Sequence, residues 1–459
     1  MLRGIENILT KHTKLPYWIA AIEVGLLSLG IGLISGWTSP YVAQLSQEGL
    51  PFSASLDECS WIVSLLSLGR IFGAILGAIG VATLGSKKTA FLAGIPQLIG
   101  WLLLTVAKSV SWIYLSRFLS GISFGFFFVC FPLYVGEVSD PKIRGALVAF
   151  IMNCQPIGTL IGNTMGAYLP MWQSAVISML PTLIFLGSFF LLPESPHYLA
   201  KKGNYDEAKN SIKWYHRKVD PILELEDIKQ FVNTKIPLSF KYIIDEFSKP
   251  KNRKALIIAN LLFAFMQISG LYTITFYMEV ILREAQVNIM EPKTIVIMVN
   301  CIGIVAGWFG MYAIDKCGRR ILLGVSSGGI CLSLIILSVD CALIHYGFEP
   351  KSIQWLPIIS LFIFQSFICI GIISVPCTII SEIFSPDIKG YASSITSVTS
   401  GIFSFISSKT YQDFLNVVPA EYVYGFYALT MFLQVTYCFF IPETKGKTLQ
   451  EVQELLEKR

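Results

Sequence analysis

The side chains best placed to do chemistry in this 459-residue chain are charged ones that recur in matched sets. Glu137-Val-Ser-Asp-Pro141-Lys-Ile143-Arg144-Gly145 returns at an offset of 245 as Glu382-Ile-Phe-Ser-Pro386-Asp-Ile388-Lys389-Gly390. Leu84-Gly85-Ser86-Lys87 is echoed by Cys317-Gly318-Arg319-Arg320 at an offset of 233, and Pro193-Glu194-Ser195 by Pro442-Glu443-Thr444 at 249. Carboxylates and cations of this kind make ion pairs that can form and break. They supply no nucleophile. The four histidines (His12, His197, His216, His345) form no cluster, and the ten cysteines have neither paired nor metal-ligand spacing. No nucleophile elbow occurs. Gly446-Lys447-Thr448 imitates the end of a P-loop, but the glycine five residues earlier is replaced by Ile441 and no strand precedes it. These absences argue against an enzyme and against an ATP-driven pump. No catalytic residue, metal, cofactor or nucleotide partner is expected.

The elements that carry these charges are apolar. Hydrophobic residues make up 54% of the chain and charged ones 14%, with a mean hydropathy of +0.62. Soluble domains carry roughly 25% charged residues, so this chain lacks the polar surface a soluble protein needs. Stretches near the roughly 20 residues that cross a bilayer recur at 17–38, 59–82, 89–107, 111–135, 145–168 and 172–192. Six more follow at 255–281, 294–314, 321–344, 353–380, 391–411 and 421–441. With the N-terminus in the cytoplasm and each stretch crossing once, five of the 35 lysines and arginines fall outside: Lys108, Arg283, Lys293, Lys351 and Lys409. Arg70 and Arg117 lie within helices, and the other 28 are cytoplasmic. This asymmetry follows the positive-inside rule and places both termini in the cytoplasm. The basic residues therefore report orientation and contact with anionic lipid, not nucleic-acid binding. The first apolar stretch is of full membrane length, so no cleavable signal peptide is expected.

The repeats divide the chain into a six-helix half (1–194), a cytoplasmic helical linker (195–253), a second six-helix half (254–442) and a tail (443–459). Within the linker, Ile222, Leu225, Ile228 and Phe231 stand at helical spacing beside Glu224, Glu226 and Lys229. In the tail, Glu451-x-x-x-Leu455-Leu456 resembles an acidic dileucine sorting signal. An even number of helices per half makes the repeats parallel, about an axis along the membrane normal. Alternating-access carriers are built this way, with substrate held near the midplane between the halves.

These residues resemble the sugar porter family of the major facilitator superfamily over essentially the whole chain. The resemblance rests on Pro193-Glu194-Ser195-Pro196-His197-Tyr198-Leu199, Pro442-Glu443-Thr444-Lys445-Gly446, Asp315-x-x-Gly318-Arg319-Arg320 and Gln267-x-Ser269-Gly270. Gly36-Trp37-Thr38-Ser39-Pro40 and Lys409-Thr410 look most like the trehalose carriers of insects. The family's fold, an all-α major facilitator bundle of about 12 helices in two parallel-repeat halves, is implied for this chain. So is a latch on the cytoplasmic face formed by Glu137, Arg144, Asp315, Arg319, Arg320, Glu382 and Lys389. The first-half copy departs from the family pattern: the acid before Gly85 falls on Ala82 and the first basic residue on Ser86.

Carried over by spacing, the family's sugar contacts fall on Gln267, Tyr272 and Ser400, while those of helices 5 and 8 fall on Met152 and Gly303. Gln155, three residues further on, Asn300, one turn away, and Thr38, after the aromatic residue of helix 1, complete the expected substrate-binding set. Gln267 belongs to a position pair that reads Met266-Gln267, and Tyr272 replaces an Asn. Cys369, Cys377 and Gly401 stand where the family has larger or polar residues, so a wider, less polar cavity is expected, suited to a disaccharide. Proton-coupled members carry an acid directly after the aromatic residue of helix 1, where this chain has Thr38. The expected function is therefore facilitative uniport of a sugar, trehalose or a hexose, by alternating access in the plasma membrane. Proton symport, a non-sugar and possibly anionic solute, and a non-transporting sugar sensor are the alternatives. Arg70, halfway along helix 2, is expected either to pair with a carbonyl or with Glu23, or to line an electropositive cavity wall.

Overall fold

The computed structural model of the chain describes residues 14–47, 53–217, 219–234, 240–384, 386–445, 447 and 449–458. Twelve long helices organise them. The first six are α1 (Leu15–Leu45), α2 (Leu56–Leu84), α3 (Ser86–Thr105), α4 (Val110–Val138), α5 (Pro141–Tyr168) and α6 (Met171–Phe189). The second six are α7 (Pro250–Glu284), α8 (Pro292–Cys317), α9 (Arg319–His345), α10 (Pro350–Ile383), α11 (Pro386–Val417) and α12 (Ala420–Phe440). Eleven are long and apolar enough to cross a membrane. The twelfth, α11, has 32 residues, about 48 Å at 1.5 Å per residue, but Ser393, Ser397, Ser400 and Ser404 lower its hydropathy. It packs between α2 and the first part of α7, and Ile402 and Ile406 on its remaining face are exposed. Its hydroxyls turn back on the helix, as Thr396 does to the Ala392 carbonyl at 3.0 Å.

Helix starts follow from proline, whose fixed φ and missing N–H suit the first turn. α1, α7, α8 and α10 have it at their first or second position. α2 begins on a capping box, with Ser55 and Glu58 exchanging side-chain and backbone bonds. Two of the predicted stretches are not simple helices. α7 breaks at Ser269-Gly270, where Gly270 takes a left-handed φ of +77° and a Cβ would meet the Tyr427 ring at 2.8 Å. α10 is interrupted by a π-helical turn at Ile368–Ile372.

Within each half, small residues let helices approach closely. A Cβ on Gly32 of α1 would stand 2.0 Å from the Gln155 carbonyl of α5, and one on Gly69 of α2 would stand 2.1 Å from the Phe118 carbonyl of α4. The outer surface carries exposed apolar residues such as Phe72, Ile75 and Ile79 of α2 and Leu180 and Leu183 of α6. A ring of such residues needs lipid around it, so the protein is an integral membrane protein.

With twelve crossings, both ends of the bundle and the linker emerge on one side, here called the linker side. Helices Pro196–Lys201, Tyr205–Tyr215 and Pro221–Thr234 form a small cluster there around Leu199, Ala208, Ile212, Leu225 and Ile228. The Tyr215 hydroxyl joins the cluster to α4 and α6 through Tyr134 and the Pro193 carbonyl, both at 3.0 Å. Ile222, read from its spacing as part of the apolar face, is exposed. The side chain of Phe231 lies outside the described residues.

A final helix, Leu449–Lys458, lies on α7 with Val452 and Leu456 buried, and Lys254 donates to the Leu456 carbonyl at 3.3 Å. The dileucine reading is thereby corrected: Leu456 is a packing residue and is not presented to a partner. The halves meet mainly along α1 with the second part of α7, α2 with α11, and α5 with α8, and more lightly along α4 with α11.

Candidate substrate site and helix-end latch

On the linker side, the repeated motifs build two versions of one corner. Gly85 and Gly318 both adopt positive φ, 89° and 90°, and each forms the tight joint between two long helices. In the second half, Arg319 Nε and Nη2 donate to Glu382 at 3.1 and 2.8 Å. Thr444 donates to the other oxygen of that carboxylate. Glu443 accepts the backbone N–H groups of Arg319 and Arg320, both at 3.0 Å, which caps α9 with a carboxylate where the helix dipole favours one. Burial works to raise the Glu443 carboxyl. The backbone N–H groups of Lys445, Arg319, Arg320 and Thr444 outweigh it and hold the group below the usual carboxylate range.

The first half has the same corner with one member changed. Ser86 stands at the position of Arg319, and its hydroxyl donates to Glu137 at 2.5 Å, so a hydroxyl takes the place of the guanidinium. Glu194, the partner of Glu443 in the repeat, turns to its own neighbour and accepts from the Ser195 N–H at 3.2 Å. Burial raises its carboxyl, partly offset by that bond and by Lys87 and Lys88. Arg144 donates to the Ser139 carbonyl at 3.3 Å, and Lys389 to the Ser381 carbonyl at 3.4 Å. Burial lowers the Lys389 ammonium, and the Arg144 charge adds to the effect. Arg320 lies over the Phe439 ring at 5.3 Å. The side chain of Asp315 lies outside the described residues, as do Gly446 and Thr448.

At mid-depth, the structure gathers some of the expected sugar contacts and separates others. Gln267 Nε2 donates to the Ser400 hydroxyl at 2.7 Å, while its Oε1 is buried without a hydrogen-bond partner. Tyr272, two residues beyond the α7 break, packs against the cores of both halves and edges onto Phe124 at 6.4 Å. Asn300 binds the Val296 carbonyl at 2.8 Å. Gln155 is half-buried on α5 beside Gly32. Thr38 is fully buried, and its hydroxyl is taken up: it donates to the Ile34 carbonyl at 3.2 Å and accepts from Arg117 at 2.5 Å.

Two arginines inside the first half define the electrostatics here. Arg117 of α4 is 1% exposed and binds the Ile34 carbonyl at 3.0 Å, the Ile62 carbonyl at 3.4 Å and Thr38, with Trp37 at 5.2 Å beneath it. Arg70 of α2 is 6% exposed and sits 4.9 and 5.4 Å from the Phe124 and Phe128 ring centres. Its single hydrogen bond, among the described residues, runs from Nη1 to the Tyr272 hydroxyl at 3.5 Å. The expected pairing of Arg70 with Glu23 does not form, because Glu23 accepts from Ser188 at 2.9 Å. Spacing alone did not mark Arg117 as the partner of Thr38. A charge inside an apolar stretch was the available signal.

Away from the linker side, bonds join the halves directly. Lys409 of α11 pairs with Asp57 of α2 at 2.8 Å, and its carbonyl accepts from Ser60 at 3.1 Å. Deeper along the same seam, Ser67 bonds Ser404 at 2.7 Å and Ile71 packs on Gly401. Across the α1–α7 seam, Ser39 accepts the Glu279 N–H at 3.2 Å. The far side is closed in this conformer.

The chain matches the Sugar (and other) transporter family over residues 17–456. It is 29% identical over 445 residues to the facilitated trehalose transporter of Polypedilum vanderplanki, covering 96% of this chain and 88% of that one. It is 28% identical over 441 residues to the corresponding protein of Apis mellifera ligustica, covering 95% and 87%. Trehalose transporter 1 of Drosophila melanogaster is 27% identical, but there the match covers 96% of this chain and only 52% of the relative. Among solved structures, the inward open xylose transporter XylE from E. coli superposes with a TM-score of 0.77 at 19% identity, covering 96% and 99% of the two chains. The XylE proton:xylose symporter bound to 6-bromo-6-deoxy-D-glucose gives 0.74 at 19% identity, covering 95% and 99%. The two-half helical bundle, the repeated corners and a match of this extent together place the chain in the sugar transporter family, with the major facilitator fold.

Proposed function

We propose that this protein carries a sugar, trehalose or a hexose, across the plasma membrane by facilitative uniport, its two halves alternating access to a site between α1, α2, α7 and α11. The reading rests first on the partner of Arg117. A proton-coupled carrier needs a titratable carboxylate that meets such a buried cation in one state and leaves it in another. Here the side-chain partner is the neutral Thr38, bound at 2.5 Å. The trehalose carriers among the relatives support the substrate class.

In this reading Gln267 and Ser400 act as one hydrogen-bonded unit, and the free Oε1 of Gln267 accepts from a sugar hydroxyl. Tyr272 offers a ring face, and Asn300 and Gln155 complete the polar set. Thr38 acts through Arg117 by fixing the wall of α1. Glu137, Arg144, Arg319, Arg320, Glu382 and Lys389, with Asp315, form the latch on the linker side. The charge asymmetry of the loops supports a cytoplasmic position for that side.

The test is uptake of labelled trehalose and glucose by purified protein in proteoliposomes, with and without a pH gradient. Saturable uptake indifferent to the gradient is expected. Uptake that accumulates sugar against its gradient when the pH step is applied would overturn uniport, and no uptake of either sugar by folded protein would overturn sugar transport.

A further inference from the structure

We propose that Arg70 is an anion-recognising group of the substrate site, so that the carrier binds sugars bearing a carboxylate, such as hexuronates, in preference to neutral sugars. This inference rests on the sugar-carrier reading above and narrows it.

The case begins with the contrast between two buried arginines in one half. Arg117 has three acceptors, two carbonyls and the Thr38 hydroxyl, arranged around its guanidinium. Arg70 is almost as deeply buried but has one long bond, at 3.5 Å. Its Nε is buried without a partner. Its Nη2 makes no hydrogen bond among the described residues. A guanidinium has five N–H donors in a fixed fork that matches a carboxylate. A charge held at membrane depth is costly unless it is paired, and no carboxylate pairs with Arg70 among the described residues.

Its position makes the missing partner a ligand instead of a structural residue. Arg70 lies on the α2 face turned toward the second half, one residue before Ile71, which packs on Gly401. Gly401 follows Ser400, the hydroxyl that holds Gln267. Tyr272, the partner of Arg70, belongs to α7 in the opposite half. The rings of Phe124 and Phe128 hold the cation from behind by cation–π contact. One ligand therefore meets a bidentate cation, the Tyr272 hydroxyl and the unpartnered Oε1 of Gln267. That set fits a carboxylate joined to a ring of hydroxyls.

The test uses full-length protein in proteoliposomes, with labelled glucuronate and glucose as probes and ligand-induced thermal shift as a second measurement. Wild type is expected to take up glucuronate saturably, faster with the interior positive, while glucose entry ignores the potential. Arg70→Met should lower the preference for glucuronate over glucose by on the order of tenfold or more, the scale of a charge-assisted bond. Arg70→Lys, which keeps the charge without the fork, should lose part of it, and this variant decides the matter if Arg70→Met does not fold. An unchanged preference in both variants would overturn the proposal. So would a thermal shift by inorganic phosphate or chloride equal to that by glucuronate, which would mark a bare anion site. Wild type stabilised by glucuronate but transporting neither sugar would leave the site standing and remove the transport reading. Neutral-sugar uptake without any glucuronate binding would do the reverse.

Discussion

In the proposed uniport, Arg117 meets the neutral hydroxyl of Thr38 where a coupled carrier would hold an acid. A neutral hydroxyl leaves the cation in the same hydrogen-bonded state at every pH, so nothing at this contact has to gain or lose a proton during a cycle. Initial rates of sugar uptake should therefore be flat between about pH 5.5 and 7.5. In Thr38→Asp, an ionised pair must be broken or neutralised in each cycle, so the rate should rise several-fold as pH falls across that window. A flat profile in the variant would mean that Arg117 does not take part in the transition. Thr38 itself could be picked out by spacing, but its bond to Arg117 could not, because the two are 79 positions apart. The same holds for Ser86. In the sequence it reads as the erosion of a basic residue. In the structure it is a working replacement that meets Glu137 as Arg319 meets Glu382.

At the scale of elements, hydropathy and repetition made the twelve helices legible, since lipid demands long apolar runs and two parallel halves need matching ends. The break in α7 and the π turn in α10 leave apolar runs uninterrupted, so composition is silent about them. Nor did composition foretell that the acid after α12 caps α9, 124 residues earlier in the chain. Glu443→Ala should destabilise the protein by about 0.5–2 kcal/mol, the usual cost of a lost cap, read as a lower unfolding temperature in detergent. The folded-state carboxyl is held low, so this stabilisation is present above the ordinary carboxylate range and is lost as pH falls through the depressed value. The difference between wild type and Glu443→Gln should thus persist from neutral pH to about pH 5 and close only in stronger acid. A constant difference down to acid denaturation would assign the effect to packing.

For the molecule as a whole, the far side is held by direct bonds between halves, of which Lys409 with Asp57 is the most accessible to mutation. Asp57 is 68% exposed, so the pair contributes modestly. Pairs of this type are worth about 0.2–1 kcal/mol. Lys409→Met should therefore raise the far-side-open population by at most about fivefold. Distance distributions between spin labels on the far ends of α2 and α11 would measure it. A population unchanged by the substitution would leave the closure to the Ser67–Ser404 bond and the apolar seam beneath.

The unequal corners give the two halves different sensitivities to their surroundings. One is joined by Arg319 and Glu382, an interaction of full charges. The other is joined by a hydroxyl and Glu137, which carries one. Mobile ions act more on the contact of two charges than on the hydroxyl contact, and only modestly even there, because a partly buried pair at 2.8 Å lies well inside the Debye length of about 8 Å. Added salt therefore loosens one side of a pseudo-symmetric machine in preference to the other. Within the cell, where ionic strength is nearly fixed, the same difference sets an order of events. A guanidinium at one corner and a hydroxyl at the other respond differently to the same ions, so the two corners need not loosen together.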